Sequence, residues 1–427
     1  MLPQLREIES KYAREVVVIG VESGKYHAER VTPRIRDASI RLDAIHPVLN
    51  DRQFRTWRSY AVSAWPTLVA IDPAGYVVGT HAGEFTAEAL VSFIDGLIEN
   101  AKMRGILNTE PLHLGADVPT ISSGRLKYPG KVAIEGRRIA IADSANHRVI
   151  VATLSDDQVS AKIDLISGTG EAGFVDGRNG QLNSPQGMVF SADNLYIADT
   201  ENHAVRAVDF KTNELRTIAG TGSQLRTRAD RQAGAMSSPW DVTLIGQTLY
   251  VAMAGVHQIW SVDIRSGKSR VHSGSGGEDI RDGENQTALL AQPMGIEARG
   301  DRLYFADAES SAIRWAEAAE DGVVGTIVGT GLFDFGDVDG KGDDVRLQHA
   351  QGLAFRRDGA LLVADSYNDC IKIVDTAART SRAWVRGLNE PSGVACSETH
   401  AYVADTNAHR VVAIDFANGE MTELRLE

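Results

Sequence analysis

The sequence feature that most constrains the fold is a short motif that recurs six times between residues 141 and 410. In its first copy, Ile141–Val149, an apolar run ends in Ala-Asp and enters a small turn that reads Ser-Ala-Asn-His-Arg. Successive copies lie about 40 to 60 residues apart, and a fixed period of this length is typical of repeat architectures. The six copies begin at Ile141, Ile197, Val251, Phe305, Val363 and Val403.

Two other landmarks recur with this motif. Each copy is preceded by a segment that starts with an apolar residue and carries Pro or Ala three residues later, as in Leu182–Val189. The first four copies are followed by a Gly-Thr-Gly or Gly-Ser-Gly turn, as in Gly168–Gly170. Short strands separated by glycine-rich turns at this period are typical of β-propeller blades, each of which buries its faces against its neighbours. Six copies therefore predict a six-bladed propeller over residues 120–427.

Residues 1–104 follow a different pattern, which predicts an α/β unit. The continuous β-branched run Val16–Val21 indicates a strand buried on both faces. Apolar residues at helical spacing indicate helices, and Thr86 is suited to cap the last of them. Residues 105–119 show little periodicity and are predicted to be a linker. The other predicted elements are a helix over Thr32–Ala44, strands Thr67–Ile71 and Tyr76–Thr80, and a helix over Thr86–Ala101.

Composition and charge exclude several classes of function. The 427 residues are 43% hydrophobic and 24% charged, and no run approaches the roughly 20 apolar residues of a membrane span. The net charge of −13 argues against nucleic-acid binding, which needs a basic face. The only two cysteines, Cys370 and Cys396, form neither a Cys-x-x-Cys pair nor a zinc pattern. We therefore expect no nucleic-acid or membrane partner, no cofactor and a reducing, cytoplasmic location.

The motifs carry a resemblance to a known family. The Asn-His-Arg turns that follow Ala-Asp-Ser or Ala-Asp-Thr resemble the NHL repeat, and Trp65–Gly75 resembles part of a thioredoxin-like domain. In this order the two are similar to the NHL-repeat-containing protein 2 family over essentially the whole chain. The resemblance implies a fold of the α/β plus all-β class. An incomplete thioredoxin-like domain at 1–104 and the linker at 105–119 precede a six-bladed NHL β-propeller at 120–427.

The chain departs from that family at its beginning. In the family a Cys-x-x-Cys motif lies just before the helix that here reads Leu2–Glu9, and the strand that leads into it is central in the sheet. Without that strand, Val16–Val21 and Thr67–Ile71 would face a gap with unpaired backbone groups, which are costly when buried. We expect that Met1 results from gene calling or an incomplete sequence; the alternative is a real truncation whose gap is filled by a partner or a shifted strand.

The resemblance also implies a peptide-binding groove. Pro66 aligns with the cis-proline of thioredoxin-like domains, beside which the backbone pairs with an extended peptide. Trp65, Pro66 and Thr67 would form this groove in the present chain. Without a cysteine opposite, such a groove can bind a peptide but cannot exchange disulfides.

The remaining chemistry-bearing residues are predicted to be structural. One Asp recurs in five of the six turns, which favours a role as a cap that accepts backbone N–H bonds of its own turn. The turn histidines recur in the same way, and the acidic stretch Asp334–Asp344 is interpreted as turns rather than a calcium loop. Cys370 and Cys396 are interpreted as small core residues. The recurrent aspartates are Asp143, Asp199, Asp307, Asp365 and Asp405.

These observations favour a binding or scaffold protein whose propeller loops hold a protein or peptide ligand. No catalytic or metal-ligating residue is assigned, and whether the chain is an enzyme stays open. One alternative is a thiol–disulfide oxidoreductase whose cysteines are lost by truncation; another is a metal-dependent propeller hydrolase or lyase. For closure of the ring, we expect an N-terminal segment, Pro111–Leu114 or Val118–Ile121, to add to the last blade, although the last repeat could also complete its own blade.

Overall fold

The computed structural model describes residues 2–42, 44–83, 85–110 and 126–427, and it divides the chain into two compact units, Met1–Ser123 and Gly124–Glu427. The predicted segments Pro111–Leu114 and Val118–Ile121 lie outside the described residues. Among the described residues, no helix is long and apolar enough to cross a membrane.

The first unit mixes helices with two small sheets. Strands β1 and β2 pair in parallel, and strands β3 and β4 form an antiparallel hairpin. The helices are α1 (Leu2–Lys11), α2 (Thr32–Arg41), α3 (Arg55–Ser59) and α4 (Ala87–Met103). The strands are β1 (Gly20–Glu22), β2 (Val48–Asn50), β3 (Thr67–Ile71) and β4 (Val77–Ala82).

The core of this unit lies between its first and last helices. Ile8 and Tyr12 of α1 pack against Ile94 of α4, and the Thr86 side chain caps α4 by accepting from the Ala89 N–H, as predicted. The predicted strand at Val16–Val21 is wrong in extent, because only its end is paired, in β1. A strand exists only where a partner strand takes its backbone groups, and β1 finds one partner over three residues.

The second unit is the predicted six-bladed propeller. Each blade is an antiparallel sheet whose strands follow one another along the chain. Blades 1 to 3 contain β5–β8 (Pro129–Glu135, Arg138–Asp143, Arg148–Leu154, Ser160–Ser167), β9–β12 (Pro185–Phe190, Asn194–Asp199, Ala204–Asp209, Leu215–Ala219) and β13–β16 (Pro239–Ile245, Thr248–Met253, Gln258–Asp263, Ser269–Ser273). A short helix, α5 (Arg228–Gln232), lies between blades 2 and 3.

Blades 4 and 5 each gain a short fifth strand from the loop that precedes them. Blade 4 contains β17–β21 (Gly283–Glu284, Pro293–Arg299, Arg302–Asp307, Ala312–Glu317, Val323–Val328). Blade 5 contains β22–β26 (Gly340–Lys341, Gly352–Phe355, Leu361–Asp365, Cys370–Asp375, Thr380–Arg386). Blade 6 contains β27–β30 (Pro391–Cys396, His400–Asp405, Arg410–Asp415, Met421–Glu423).

The propeller core consists of six apolar clusters, one between each pair of neighbouring blades. The cluster that closes the ring joins blade 6 to blade 1, where Tyr402 and Val411 pack against Ile139 and Ile150. Because every blade buries both faces in this way, apolar burial stabilises the ring only when all six blades are in place.

A C-terminal strand, β31 (Arg425–Leu426), also joins the two ends of the ring. It leaves blade 6 and pairs in parallel with β8, at Ser160 and Ala161 of blade 1. Blade 6 is complete from its own repeat, since β30 supplies its outer strand. The expected N-terminal latch lies outside the described residues, whereas this pairing places a latch at the C-terminal end of the chain.

Candidate functional site

The recurrent aspartates are buried links between each turn and the loop that precedes the blade. None of the five caps its own turn, so the predicted local cap is wrong. One carboxylate oxygen instead accepts, at 2.5–2.8 Å, a backbone N–H from the entry to the same blade. The donors to Asp143, Asp199, Asp307, Asp365 and Asp405 are Lys127, Asn183, Ala291, Gln348 and Asn389 respectively.

The second oxygen of several of these aspartates accepts from a cationic side chain. Arg206 lies 2.8 Å from Asp199 and 2.6 Å from Asp176, and Arg314 bridges Asp307 and Asp282 in the same way. The guanidinium groups and the two turn aspartates are fully buried, so these ion pairs belong to the interior of the blades. Buried groups with these partners hold the structure and do not meet a substrate.

The turn histidines join neighbouring blades. Each adopts a left-handed backbone conformation, and its Nδ1 accepts a backbone N–H of the next blade at 3.0–3.2 Å. Burial lowers the pKa of His203 to about 4, so its ring is neutral and suited to accept. The four residues are His147, His203, His257 and His409, which donors at Ser184, Ser238, Gln292 and Tyr128 contact.

Both cysteines lie in strands of the propeller. Cys370 is fully buried in blade 5, and its Sγ lies 4.0 Å from Asp365. Cys396 is partly covered at the end of β27. Burial raises the pKa of both thiols well above the usual value, so neither is the activated thiolate of a redox centre.

The predicted groove residues lie at the start of the β3–β4 hairpin. The Trp65–Pro66 bond is cis, as predicted. The Trp65 indole donates to the Ser23 carbonyl at 2.8 Å and leaves 47% of the residue exposed. Thr67 begins β3, which pairs with β4 along one edge and, among the described residues, has no strand partner along the other. An anchored, half-exposed aromatic ring thus lies beside the cis-proline at the start of β3.

An aromatic cluster packs against the Trp65 ring. The Trp65 ring contacts Trp57 with centroids 4.6 Å apart and Phe54 at 6.4 Å. Asp51 fixes the cluster, because its carboxylate accepts the backbone N–H groups at the start of α3 and the Ser23 hydroxyl. Burial, with a smaller effect of Glu29, raises the pKa of Glu22 at the end of β1 to about 7.

The propeller channel contains charged residues that the sequence analysis missed. Lys131 of blade 1 is 3% exposed, donates to the Gln351 carbonyl of blade 5 and lies 3.4 Å from Asp241 of blade 3. Lys131 and Asp241 occupy the same strand position in their repeats, and this position is Gly in the other four. An alignment of the six repeats therefore identifies both charged residues as exceptions. The glycines are Gly187, Gly295, Gly352 and Gly393.

A second carboxyl group lies near this ion pair. Glu297 of blade 4 accepts the Phe355 N–H at 3.0 Å. Burial raises the pKa of Glu297 to about 8, with a further contribution from the charge of Asp241. Among the described residues, no group of three or more His, Cys, Asp or Glu side chains is placed to hold a metal ion.

Comparison with known proteins finds similarity to NHL-repeat proteins. A profile of the NHL repeat matches residues 182–207. NHL repeat-containing protein 2 of Gallus gallus is 35% identical over 97% of this chain and 64% of its own length. The chloroplastic protein SUPPRESSOR OF QUENCHING 1 of Arabidopsis thaliana is 36% identical over 99% of this chain and 43% of its own length. The chain thus spans less than two thirds of these relatives.

One solved structure is similar to part of this chain. A chain from a nidogen/laminin complex covers 66% of this chain and 95% of its own length, with 15% sequence identity and a TM-score of 0.46. The family assignment depends on the sequence relatives, which align with both units of the chain.

Proposed function

We propose that this chain, which belongs to the family of NHL repeat-containing protein 2, is a binding or scaffold protein that captures an extended segment of a partner polypeptide. The relatives support the family, and the rest of the proposal depends on the side chains and backbone at Trp65–Thr67. The cytoplasmic location expected from the cysteine content is part of the same proposal.

The observation that carries the proposal is the anchored, half-exposed Trp65 ring beside the cis Trp65–Pro66 bond. Backbone groups at such a site can pair with an extended peptide, and the surface beside them selects its side chains. The Trp65 ring is held by its bond to Ser23 and by its contacts with Trp57 and Phe54, while almost half of the residue faces solvent. A preordered aromatic surface binds at a low entropic cost, because little freedom is lost on contact.

The thiols of this chain favour binding over disulfide exchange. Cys370 and Cys396 belong to the propeller strands, and burial raises the pKa of each. A nucleophilic thiolate needs a lowered pKa and an accessible site. We therefore assign the holding of a polypeptide, and no thiol chemistry of Cys370 or Cys396, to the groove at Trp65, Pro66 and Thr67.

The experiment uses fluorescein-labelled, reduced and carboxymethylated α-lactalbumin, an unfolded chain without disulfides, with binding read by fluorescence anisotropy. We expect saturable binding, weakened about fivefold or more by Trp65→Ala, since truncating an aromatic anchor costs about 1 kcal/mol or more. Tyr76→Ala is the matched control, because Tyr76 is 69% exposed at the far end of the same hairpin. Absent binding, or equal loss with both variants, would overturn the proposal.

A further inference from the structure

The loop that precedes blade 3, residues 220–238, has the opposite charge pattern to the loops that precede blades 2, 4 and 5. In those three blades a buried cation of the third strand pairs with an aspartate of the preceding loop at 2.6–3.0 Å. The equivalent strand position in blade 3 is Trp260, and the loop supplies the cation, because Arg231 lies over the Trp260 ring, 5.5 Å from its centroid. The pairs in the other blades are Arg206 with Asp176, Arg314 with Asp282 and Lys372 with Asp337.

Two further arginines of this loop, Arg226 and Arg228, are exposed, as is Arg231. The only acidic residue of the loop is Asp230, whose carboxylate accepts the backbone N–H groups of Arg226 and Thr227 at the start of α5. Within the described part of the chain, no carboxylate lies at ion-pair distance from any of the three guanidinium groups. The loop thus carries three positive charges and one negative charge on a chain whose net charge is −13.

The backbone of this loop is held against the propeller. Leu225 is buried in the core between blades 2 and 3, and its N–H donates to the Met236 carbonyl at 2.8 Å, which ties the two ends of the loop together. A reciprocal cap between Thr227 and Asp230 fixes the start of α5. Because the backbone is already ordered, a ligand of these arginines would have to order only their side chains.

We propose that Arg226 and Arg228 bind an acidic segment of a partner polypeptide through ion pairs with its Asp or Glu side chains. A guanidinium group matches a carboxylate, because its planar N–H groups can donate two parallel bonds. A nucleic acid fits this surface less well, since such binding uses about 6–10 phosphate contacts over a basic face. The inference goes beyond the function proposed above, because it concerns a propeller surface and does not involve Trp65.

The test uses fluorescein-labelled Gly-Ser octapeptides that carry four Glu or four Gln residues at the centre. Binding to the full chain is measured by fluorescence anisotropy at about 50 mM and about 300 mM salt, because exposed ion pairs weaken as the Debye length shortens. We expect the Glu peptide to bind more tightly than the Gln peptide and to lose affinity at the higher salt concentration. The net charge of −13 opposes this result, so the preference requires a local basic surface. Equal or weaker binding of the Glu peptide would overturn the proposal.

Matched variants locate the binding surface. Arg226→Gln and Arg228→Gln should each weaken binding of the Glu peptide about threefold to fivefold, the size of one exposed ion pair. Arg265→Gln is the control and should leave the affinity unchanged. Arg226 and Arg265 are both exposed, and the Nε of each donates to a glutamine side chain, at 3.0 Å and 3.3 Å, but Arg265 lies in the turn between β15 and β16. An equal loss with Arg265→Gln would contradict the inference.

A labelled oligothymidylate of the same length distinguishes the two anionic partners. We expect it to bind no more tightly than the Glu peptide; tighter binding that Arg228→Gln abolishes would overturn the choice of a polypeptide.

The two binding proposals fail separately. Trp65→Ala should leave binding of the Glu peptide unchanged, because that peptide has no apolar side chain for the ring. If Trp65→Ala weakens binding of unfolded α-lactalbumin while the Glu peptide shows no preference, only the inference about Arg226 and Arg228 is lost. If the Glu peptide depends on Arg228 while Trp65→Ala changes nothing, the Trp65 site is wrong and the propeller binds alone.

Discussion

The backbone N–H of Tyr128 donates to Nδ1 of His409, 281 residues later, at 3.1 Å. The rings of these two residues also meet edge to face, with centroids 4.3 Å apart. The same backbone contact joins His147 to Ser184 between blades 1 and 2. The junction between the last and first blades thus repeats the contact that holds other neighbouring blades together.

Removing Arg425–Glu427 should lower the melting temperature of the propeller. This segment places β31 against β8, with bonds from the Arg425 and Glu427 N–H groups to Val159 and Ala161. At about 1 kcal/mol for each of two or three lost bonds, the free energy of unfolding should fall by about 2–3 kcal/mol. Calorimetry of the full and shortened chains measures the change. An unchanged melting temperature would show that the interblade contacts suffice.

Arg206→Met should destabilise the propeller strongly. The substitution leaves Asp199 without its buried cation, and breaking such a pair costs about 3–5 kcal/mol. Arg357→Met is the control, because Arg357 pairs with Glu398 at 2.6 Å while both side chains are largely exposed, and it should cost about 1 kcal/mol or less. Urea unfolding measures both values. Equal losses would mean that burial does not determine the value of these pairs.

The propeller could be predicted from sequence because its constraint is repeated. An apolar run, Ala-Asp and a small turn at Ile141–Val149 has five further copies, and each copy forms the same strand–turn–strand unit. The turn aspartates were predicted to cap their own turns, but their backbone partners lie 16 or 17 residues earlier in the chain. Local turn chemistry alone does not predict this partner, because only the folded blade brings its entry segment into contact with the turn.

Other features depend on contacts that no local pattern encodes. Val16–Ile19 has the composition of a strand, yet the strand begins only at Gly20, where β2 provides a partner. The end of the chain is divided between two blades, because Met421–Glu423 pairs within blade 6 and Arg425–Leu426 pairs with blade 1. Lys131 and Asp241 meet across the channel because two positions that are otherwise Gly carry opposite charges. Only the closed ring brings these two residues together, so no local sequence pattern predicts their contact.

The stability of the propeller should depend on the titration of Glu297. Its pKa is about 8 in the folded chain and 4.5 as the ordinary value, so between these pH values the folded state binds more protons than the unfolded state. The free energy of unfolding therefore falls as pH rises from about 4.5 to 8. Glu297→Gln should reduce this dependence of the free energy of unfolding on pH. At about pH 9 the variant should be more stable than the parent chain. Urea unfolding at several pH values measures it.

The control for this prediction is Glu278→Gln, which changes an exposed glutamate of the loop before blade 4. That variant should follow the pH profile of the parent chain. If Glu297→Gln also runs parallel to the parent between pH 5 and 9, Glu297 does not titrate in the way its burial indicates.

The two thiols should be unreactive in the native protein. Since burial raises the pKa of Cys370 and Cys396, little thiolate forms near pH 8, and reagents such as dithionitrobenzoate have poor access to Cys370. Both should react in urea. The Cys396→Ser variant separates the two signals by leaving Cys370 alone. Rapid modification of the folded parent would place an accessible thiol in the propeller and reopen a redox role.

The channel ion pair should show strong coupling in a double-mutant cycle. Lys131→Met leaves Asp241 buried without its cation and should cost about 3–5 kcal/mol, whereas Lys131→Met combined with Asp241→Leu removes both charges and should recover most of that loss. Full recovery would mean that the pair contributes little net stability and mainly sets which blades face each other across the channel. A double variant as unstable as Lys131→Met would instead show that Lys131 acts through its bond to the Gln351 carbonyl.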